Sequence, residues 1–359
     1  MTETKAQCDV LTLAATPPQV KPFELGAEKR WDRFVLEHPR ASFFHLIGWK
    51  RIIEKTFGHK ARYVYCERDG ELTGIAPIFE CYNWLIGRCF ISTPLAAYGG
   101  IVAVDNESEQ VLLDYAKRMA GLASAEYLEI RHRDGGLLDG FHANHLYVTF
   151  NAPLFSDPAA NLKRLPKDTR YMIRKGEKAG LRAQRGMEQM DVFYELFAKS
   201  MHRLGTPVFP GALFRNIVDE FPDHTQLMVV YNGADALTGV LSFFFRDTIL
   251  PYYAGASPEA TRLAANNFMY WELMKWAGGQ GFRTFDFGRS KRGTGAFAFK
   301  SQWNMNAEPL DYQVFLVKRK TVPNFSPVNP KFDMAIRVWQ KLPFSVTKWL
   351  GPSAVRLFP

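Results

Sequence analysis

Gly278–Asn304 reads GGQGFRTFDFGRSKRGTGAFAFKSQWN. Aromatic and polar residues alternate over Phe282–Phe287, and that period of two predicts a strand. The next eight residues, Gly288 to Gly295, mix glycine with Arg289, Lys291 and Arg292 and read as a loop. Phe297, Phe299 and Trp303 then frame Lys300. A strand that brings cations, glycines and a sheltered lysine to one place points to an anionic ligand or to a negative charge formed during a reaction.

Outward from this stretch the chain repeats itself. In the first half, Ala61–Glu67 reads as a strand, Asp69-Gly70 as a hairpin turn and Leu72–Glu80 as the return strand. In the second, Leu227–Tyr231, Asn232-Gly233 and Leu237–Asp247 follow the same order. Leu72-Thr73-Gly74 matches Leu237-Thr238-Gly239, and Tyr98-Gly99-Gly100 answers Tyr253-Ala254-Gly255. Each copy continues into a helix, Ser108–Ala123 or Pro258–Gly278, and then into a strand ending in charge. The shared order predicts an internal duplication. Between the copies, Lys163, Lys167, Arg170, Arg174 and Lys178 recur every three or four residues and would share one helical face. After Pro323 a Pro-rich tail leads to a cationic amphipathic helix over Phe332–Leu350.

The chain has 359 residues, 47% hydrophobic and 23% charged, which fits a folded protein with ample core and excludes a disordered one. A net charge of +9 favours anionic partners. The four cysteines make no CxxC pair and no metal spacing, so no metal site and no disulfide framework are expected. There is no signal-peptide pattern and no run of apolar residues long enough to span a bilayer. A reduced, cytoplasmic chain is expected, with peripheral contact at the inner membrane left open.

Familiar site motifs fail. Gly288 to Gly293 has the spacing of a phosphate loop, but Thr294 stands where its lysine belongs. Gly293–Ala298 fits a loose dinucleotide fingerprint without the strand–turn–helix context that gives it meaning. GxSxG and HExxH are absent. Lys300 is the sharpest candidate: a lysine among aromatic rings could stabilise an oxyanion as an amine attacks an ester or thioester. It could equally be a surface lysine flanking a strand. Asp286 could act as a base, bind a substrate amine or simply pair with Arg289, and the last is the expectation.

Three stretches carry a family resemblance: Phe43–Tyr65 (FFHLIGWKRIIEKTFGHKARYVY), Leu165–Leu181 (LPKDTRYMIRKGEKAGL) and Phe285–Asn304. Together they resemble FemAB-like proteins, and the branch associated with exosortase/PEP-CTERM and exopolysaccharide systems in particular. The resemblance implies an α/β (α+β) fold of two tandem GNAT-like domains, with mixed, mostly antiparallel sheets flanked by helices. The expected division is a lead-in over 1–20, domains over 21–155 and 206–322, basic connecting helices over 156–205 and a tail over 323–359.

The activity implied is transfer of an acyl or aminoacyl group to an amine on a peptidoglycan or exopolysaccharide precursor. Acyl-CoA and aminoacyl-tRNA are both open as donors, since the chain shows neither a long coiled-coil arm nor a clear Q/RxxGxG/A loop. Phe299-Lys300 resembles the family's FK motif, with Lys300 and Asp286 as the catalytic candidates. Trp49 and Lys50 resemble a wall of the substrate cleft, and Tyr98, Tyr253 and Trp303 join it as candidates. Arg289, Lys291 and Arg292 would meet a donor or acceptor phosphate, and Arg170, Arg174 and Lys175 the anionic carrier of a glycan or muropeptide precursor. Two other readings stand beside this one: a non-catalytic module of the same fold that binds a lipid-linked saccharide or an export partner, and tRNA binding through charge alone.

Overall fold

Asp69 and Gly70 turn the chain with φ of 52° and 84°, the left-handed pair that a two-residue hairpin needs. In this computed structural model, which describes residues 16–133, 136–323 and 333–357, that hairpin is where the first half departs from the sequence reading. The strand expected over Ala61–Glu67 is two strands, Lys60–Ala61 and Val64–Arg68. Its return is also two, Glu71–Ala76 and Ile78–Asn83. The second break falls at Pro77, which has no N–H to give a ladder. There the chain leaves a four-stranded sheet and enters an eleven-stranded one.

The four-stranded sheet runs Gln19–Pro22, Val64–Arg68, Glu71–Ala76, Val102–Ala103 in space. The larger sheet begins with Arg182–Arg185, Thr225–Asn232, Asp235–Phe245, Thr248–Ala256 and Thr284–Lys291. It continues through His142–Pro153, Asn306–Leu316, Tyr127–Ile130, Gly87–Ser92, Ile78–Asn83 and Lys60–Ala61. Its neighbours are antiparallel except for two pairs. Gly87–Ser92 runs parallel to Tyr127–Ile130, and Thr248–Ala256 parallel to Thr284–Lys291. A parallel pair needs a crossover. The helix Asn106–Leu122 provides it in the first half and Ala265–Gly279 in the second, so the duplicated order is present in space.

The halves are joined in a way the sequence did not suggest. In sequence, Tyr147–Phe150 reads as a short strand closing the first half. The strand is His142–Pro153, and it lies between Thr284–Lys291 and Asn306–Leu316. The last strand, Asn306–Leu316, turns back to pair with Tyr127–Ile130 of the first half. Hydrophobic packing follows the same plan: Phe43 of the first half stacks on Phe243 of the second at 4.6 Å, and Trp49 meets the same ring edge-on.

Other elements differ in detail. The basic segment is two helices, Pro158–Arg164 and Lys167–Lys178, separated at Leu165-Pro166. Pro258–Gly278 is interrupted at Ala264, whose φ is 56°. Gly211–Glu220 is a helix that the sequence reading passed over. The C-terminal helix is two, Asp333–Lys341 and Phe344–Ala354, parted at Leu342-Pro343. Of the lead-in, 1–15 lie outside the described residues, and Gln19–Pro22 is a strand. The Pro-rich stretch 324–332 also lies outside them. No described helix is long and apolar enough to cross a membrane.

Gly255 brings a strand of the second half close against the helix that carries Phe197. A Cβ there would lie 2.5 Å from the backbone N and Cα of Phe197. Backbone atoms cannot swing away as a side-chain tip can. Gly255→Ala is therefore expected to lower unfolding free energy by about 1–3 kcal/mol, read as an earlier urea midpoint at unchanged slope.

Candidate active site

The site begins with a bulge. Along the pairing of Thr284–Lys291 with His142–Pro153, Asp286 faces Asn151 and Arg289 faces Thr149. One extra residue has been inserted, and Gly288 absorbs it at φ 66°. An unbroken strand would put Asp286 and Gly288 on one face. The bulge puts Asp286 and Arg289 there instead, while Phe285 and Phe287 pack into the second-half core.

Asp286 is 1% exposed, and four groups meet it, three of them from distant parts of the chain. The Tyr98 hydroxyl lies 2.8 and 3.0 Å from its two oxygens. Thr149 Oγ1 donates at 3.0 Å and the Gly288 N–H at 2.8 Å. Arg133 Nη1 lies 3.4 Å away; its guanidinium also reaches Glu308 at 3.5 Å and sits 4.8 Å above the Tyr98 ring. Buried carboxylates keep their charge only when so supplied. Burial, and then the Asp286 charge, push the Tyr98 hydroxyl well above the ordinary tyrosine range, so it stays a donor.

This cluster lies at the junction of a two-lobed cleft. One lobe, about 320 Å³, is polar and is lined by Arg40, His45, Gly100, His132 and Glu308. The other, about 250 Å³, is lined by Phe43, Phe44, Phe243, Phe245 and Asp247 and has Asp286 in its wall. Tyr98 and Arg133 line both. In the polar lobe, burial pushes His45 down to about 4, so its imidazole is neutral near pH 7. Its Nε2 meets the Gly100 carbonyl at 3.0 Å, and its Nδ1 accepts the Ser42 N–H at 3.0 Å. Gly100 has no room for a side chain, since a Cβ would fall 1.9 Å from His132 Cδ2.

Lys300 is on a short helix, Gly295–Ser301, rather than on a strand flank. Thr294 caps that helix by accepting the Phe297 N–H. The Lys300 ammonium points back at the bulge and donates to the carbonyls of Phe287, Gly288 and Arg289 at 2.5, 3.3 and 3.2 Å. Three acceptors use all three of its protons. Burial pulls it down to about 8, against the opposing pull of Asp286. Gly288 thus links the two catalytic candidates: its carbonyl faces Lys300 and its N–H faces Asp286.

The expected ion pair of Asp286 with Arg289 is not formed. Asp286 takes Arg133, and Arg289 turns to the Tyr147 ring at 4.8 Å and the Tyr312 hydroxyl at 3.2 Å. The aromatic pairs around the bulge favour this: Arg289 stacks against rings that a carboxylate would avoid. Phe299 and Trp303 pack with Tyr270 and Phe287 behind Lys300. Burial lowers Lys291, which ends the strand, and the exposed Arg292 follows it.

The remaining candidates lie apart from the cleft. Trp49 is fully buried and donates to the Pro94 carbonyl at 3.2 Å. Lys50 pairs with Glu54 at 2.7 Å beside a different groove. Tyr253 is enclosed by Phe197 and Phe214. Arg170 and Arg174 line a shallow groove with Lys163 and Lys167, and Lys175 is exposed on the same helix. That helix is tied to the Lys300 helix by Thr169, which donates to the Gln302 carbonyl at 2.5 Å. The sequence reading missed Arg133, Thr149, Glu308 and the two histidines. Arg131-His132-Arg133 was a readable charged exit from a strand; Thr149 and Glu308 had no local signal.

With this geometry in view, the chain can be set beside known proteins. No curated protein matches it. Among solved structures it is similar to FemX, with TM-score 0.63 at 18% identity, over 82% of this chain and 97% of that one. It is also similar to the C-terminal domain (DUF2156) of a putative lysylphosphatidylglycerol synthetase from Agrobacterium fabrum, with TM-score 0.56 at 16% identity, over 80% and 91% of the two chains. A tandem GNAT protein from the clavulanic acid biosynthesis pathway gives TM-score 0.53 at 11% identity, over 85% and 100%. The fold is therefore the mixed α/β architecture of these proteins, and residues 163–301, from the basic helices through Lys300, match the acetyltransferase (GNAT) domain family.

Proposed function

We propose that this chain is an N-acyltransferase that moves an acyl or aminoacyl group onto an amine of a cell-envelope precursor, in the cleft that meets at Asp286. The observation that carries the reading is the buried Asp286 carboxylate, open to the phenylalanine-lined lobe and held by donors from both halves. An amine seated at that carboxylate would lie between a polar lobe suited to a hydrophilic acceptor and a mixed lobe whose phenylalanines suit an acyl or amino-acid side chain. In the reaction the nitrogen–carbon bond forms and the donor's carbon–oxygen or carbon–sulfur bond breaks. The amine proton leaves by way of Asp286 to the departing oxygen or sulfur.

In this scheme Lys300 is a positioning residue, holding the bulge that places Asp286. Arg170, Arg174 and Lys175 supply the field for an anionic carrier, and Arg289 braces the floor through Tyr312. The peptidoglycan or exopolysaccharide acceptor, and the exosortase-associated branch, rest on the sequence motifs alone. A purely binding module is less well supported, since the cleft is open and its buried charge costs stability that a passive surface need not carry.

The test is mass spectrometry of amine-bearing glycan and muropeptide precursors incubated with the protein and either acyl-CoA or aminoacyl-tRNA pools. An acceptor gaining one acyl or aminoacyl mass with one donor pool is the expected result. No product with either pool, across both acceptor classes, would overturn the reading.

A further inference from the structure

Two tryptophans are held out in water. Trp84, at the tip of the hairpin joining Ile78–Asn83 to Gly87–Ser92, and Trp349, on the helix Phe344–Ala354, are each 78% exposed. Trp31, Trp49, Trp271 and Trp303 are buried. Trp84 is flanked by exposed Tyr82 and Leu85, and Trp349 by exposed Leu350. Neither exposure reflects a loose segment. Asn83 Oδ1 accepts the N–H groups of Leu85 and Ile86 at 3.0 and 2.8 Å, which fixes the tip. On the helix, Thr347, Gly351 and Val355 face inward at intervals of four, so Trp349 is on the outer side. Thr347 and Lys348 tie that helix to His202 and Glu195 at 3.0 and 2.6 Å.

The two places belong to one corner of the molecule. Asn83 Nδ2 donates to the Leu357 carbonyl at 3.2 Å, and Arg356 reaches the Thr56 carbonyl at 3.2 Å. The C-terminal segment there is mainly basic, with Lys348 already paired to Glu195. From Asp333 to Leu357 the cations Arg337, Lys341, Lys348 and Arg356 face a single acid, Asp333, and Arg337, Lys341 and Arg356 are exposed. Aromatic side chains projecting among basic ones match the headgroup layer of an anionic bilayer, where indole rings settle at the water boundary and cations meet phosphate. A hairpin tip also suits a fluid surface, because it offers a protruding side chain and asks for no complementary groove.

We propose that the Trp84 tip and the C-terminal helices form a docking surface for an anionic lipid bilayer, with Trp84 and Trp349 entering the headgroup layer. This requires nothing of the chemistry in the cleft. The test is sedimentation of the full-length chain with vesicles of phosphatidylglycerol mixed into phosphatidylcholine, and with phosphatidylcholine alone, while tryptophan emission is followed. Binding to the anionic vesicles with a blue shift, weakened by salt, is expected. Trp84→Ser combined with Trp349→Ser should reduce partitioning by about 10-fold or more and leave the melting temperature unchanged.

Absence of binding by the parent chain, or unchanged binding by the double variant, would overturn the proposal. So would a parent that is dimeric without lipid and becomes monomeric in the double variant, which would assign the surface to a second copy. Transfer to a water-soluble acceptor should be the same in parent and double variant, so the fate of the docking surface and that of the cleft are read separately.

Discussion

Asp286→Asn lowers the rate of acyl transfer by about 10²–10⁴-fold, the range a positioned proton acceptor contributes. Asparagine keeps the shape of the side chain and can still accept from Gly288 or Thr149. It loses the charge that draws an amine and the capacity to take its proton. The loss should fall on kcat more than on KM, because most of the substrate's binding surface lies in the two lobes. Stability should move less than activity. Arg133 loses its partner, but Glu308 lies 3.5 Å from the same guanidinium, and Arg133 is partly open to water. Steady-state kinetics with both donor classes, beside a urea titration, check the result. Unchanged kcat would remove Asp286 from the reaction.

Lys300→Met is the second large effect. Methionine fills much of the same volume but leaves the carbonyls of Phe287, Gly288 and Arg289 without their shared donor. An unsatisfied buried acceptor costs about 1–3 kcal/mol, so the variant should melt earlier and lose turnover as the bulge relaxes. A direct contact with the oxyanion would give a different signature, a loss of about 10²–10³-fold in kcat with the melting point unchanged. Measuring both quantities on one variant separates the two roles.

The pH dependence has a definite sign. Burial brings Lys300 to about 8 from the ordinary 10.5. Between those values the unfolded chain binds the proton more tightly than the folded one. This group's contribution to stability therefore rises with pH over that window, and its burial penalty is fully present below about 8. Turnover that needs the ammonium latch should fall as pH passes about 8, and this limb should be missing in Lys300→Met.

Features fixed by neighbouring residues were readable in the sequence. Asp69-Gly70 and Gly233 turn where their types demand positive φ, and in each half a hairpin, a helix and a further strand follow in the order read from the sequence, although the first-half hairpin is split between two sheets. The Lys300 helix had little signal in the sequence, being only seven residues long and marked chiefly by its Thr294 cap. Pro77 marked a break, but nothing local said that the chain would change sheets there.

The site itself was half visible. Asp286, Tyr98 and Lys300 carried local signals. Their arrangement depends on Thr149 and Arg133, more than 130 residues before Asp286 along the chain, and on a bulge whose only trace in the sequence is one glycine among several. Trp49, Lys50 and Tyr253 shared the composition of a cleft wall, but the space they fill is core or a separate groove, because large aromatic residues serve burial first.

The return of Asn306–Leu316 to Tyr127–Ile130 has a consequence for synthesis. As the chain emerges from a ribosome, everything up to Pro153 is available before that closing strand exists. Until Thr284–Lys291 emerges, His142–Pro153 has neither of its partners, and until about residue 316 is out both it and Tyr127–Ile130 keep one open side. Such edges invite pairing with other nascent chains. A sheet closed by its most distant strand also folds slowly. The chain is therefore most vulnerable between the emergence of Pro153 and that of Leu316, the interval in which chaperone contact would matter most.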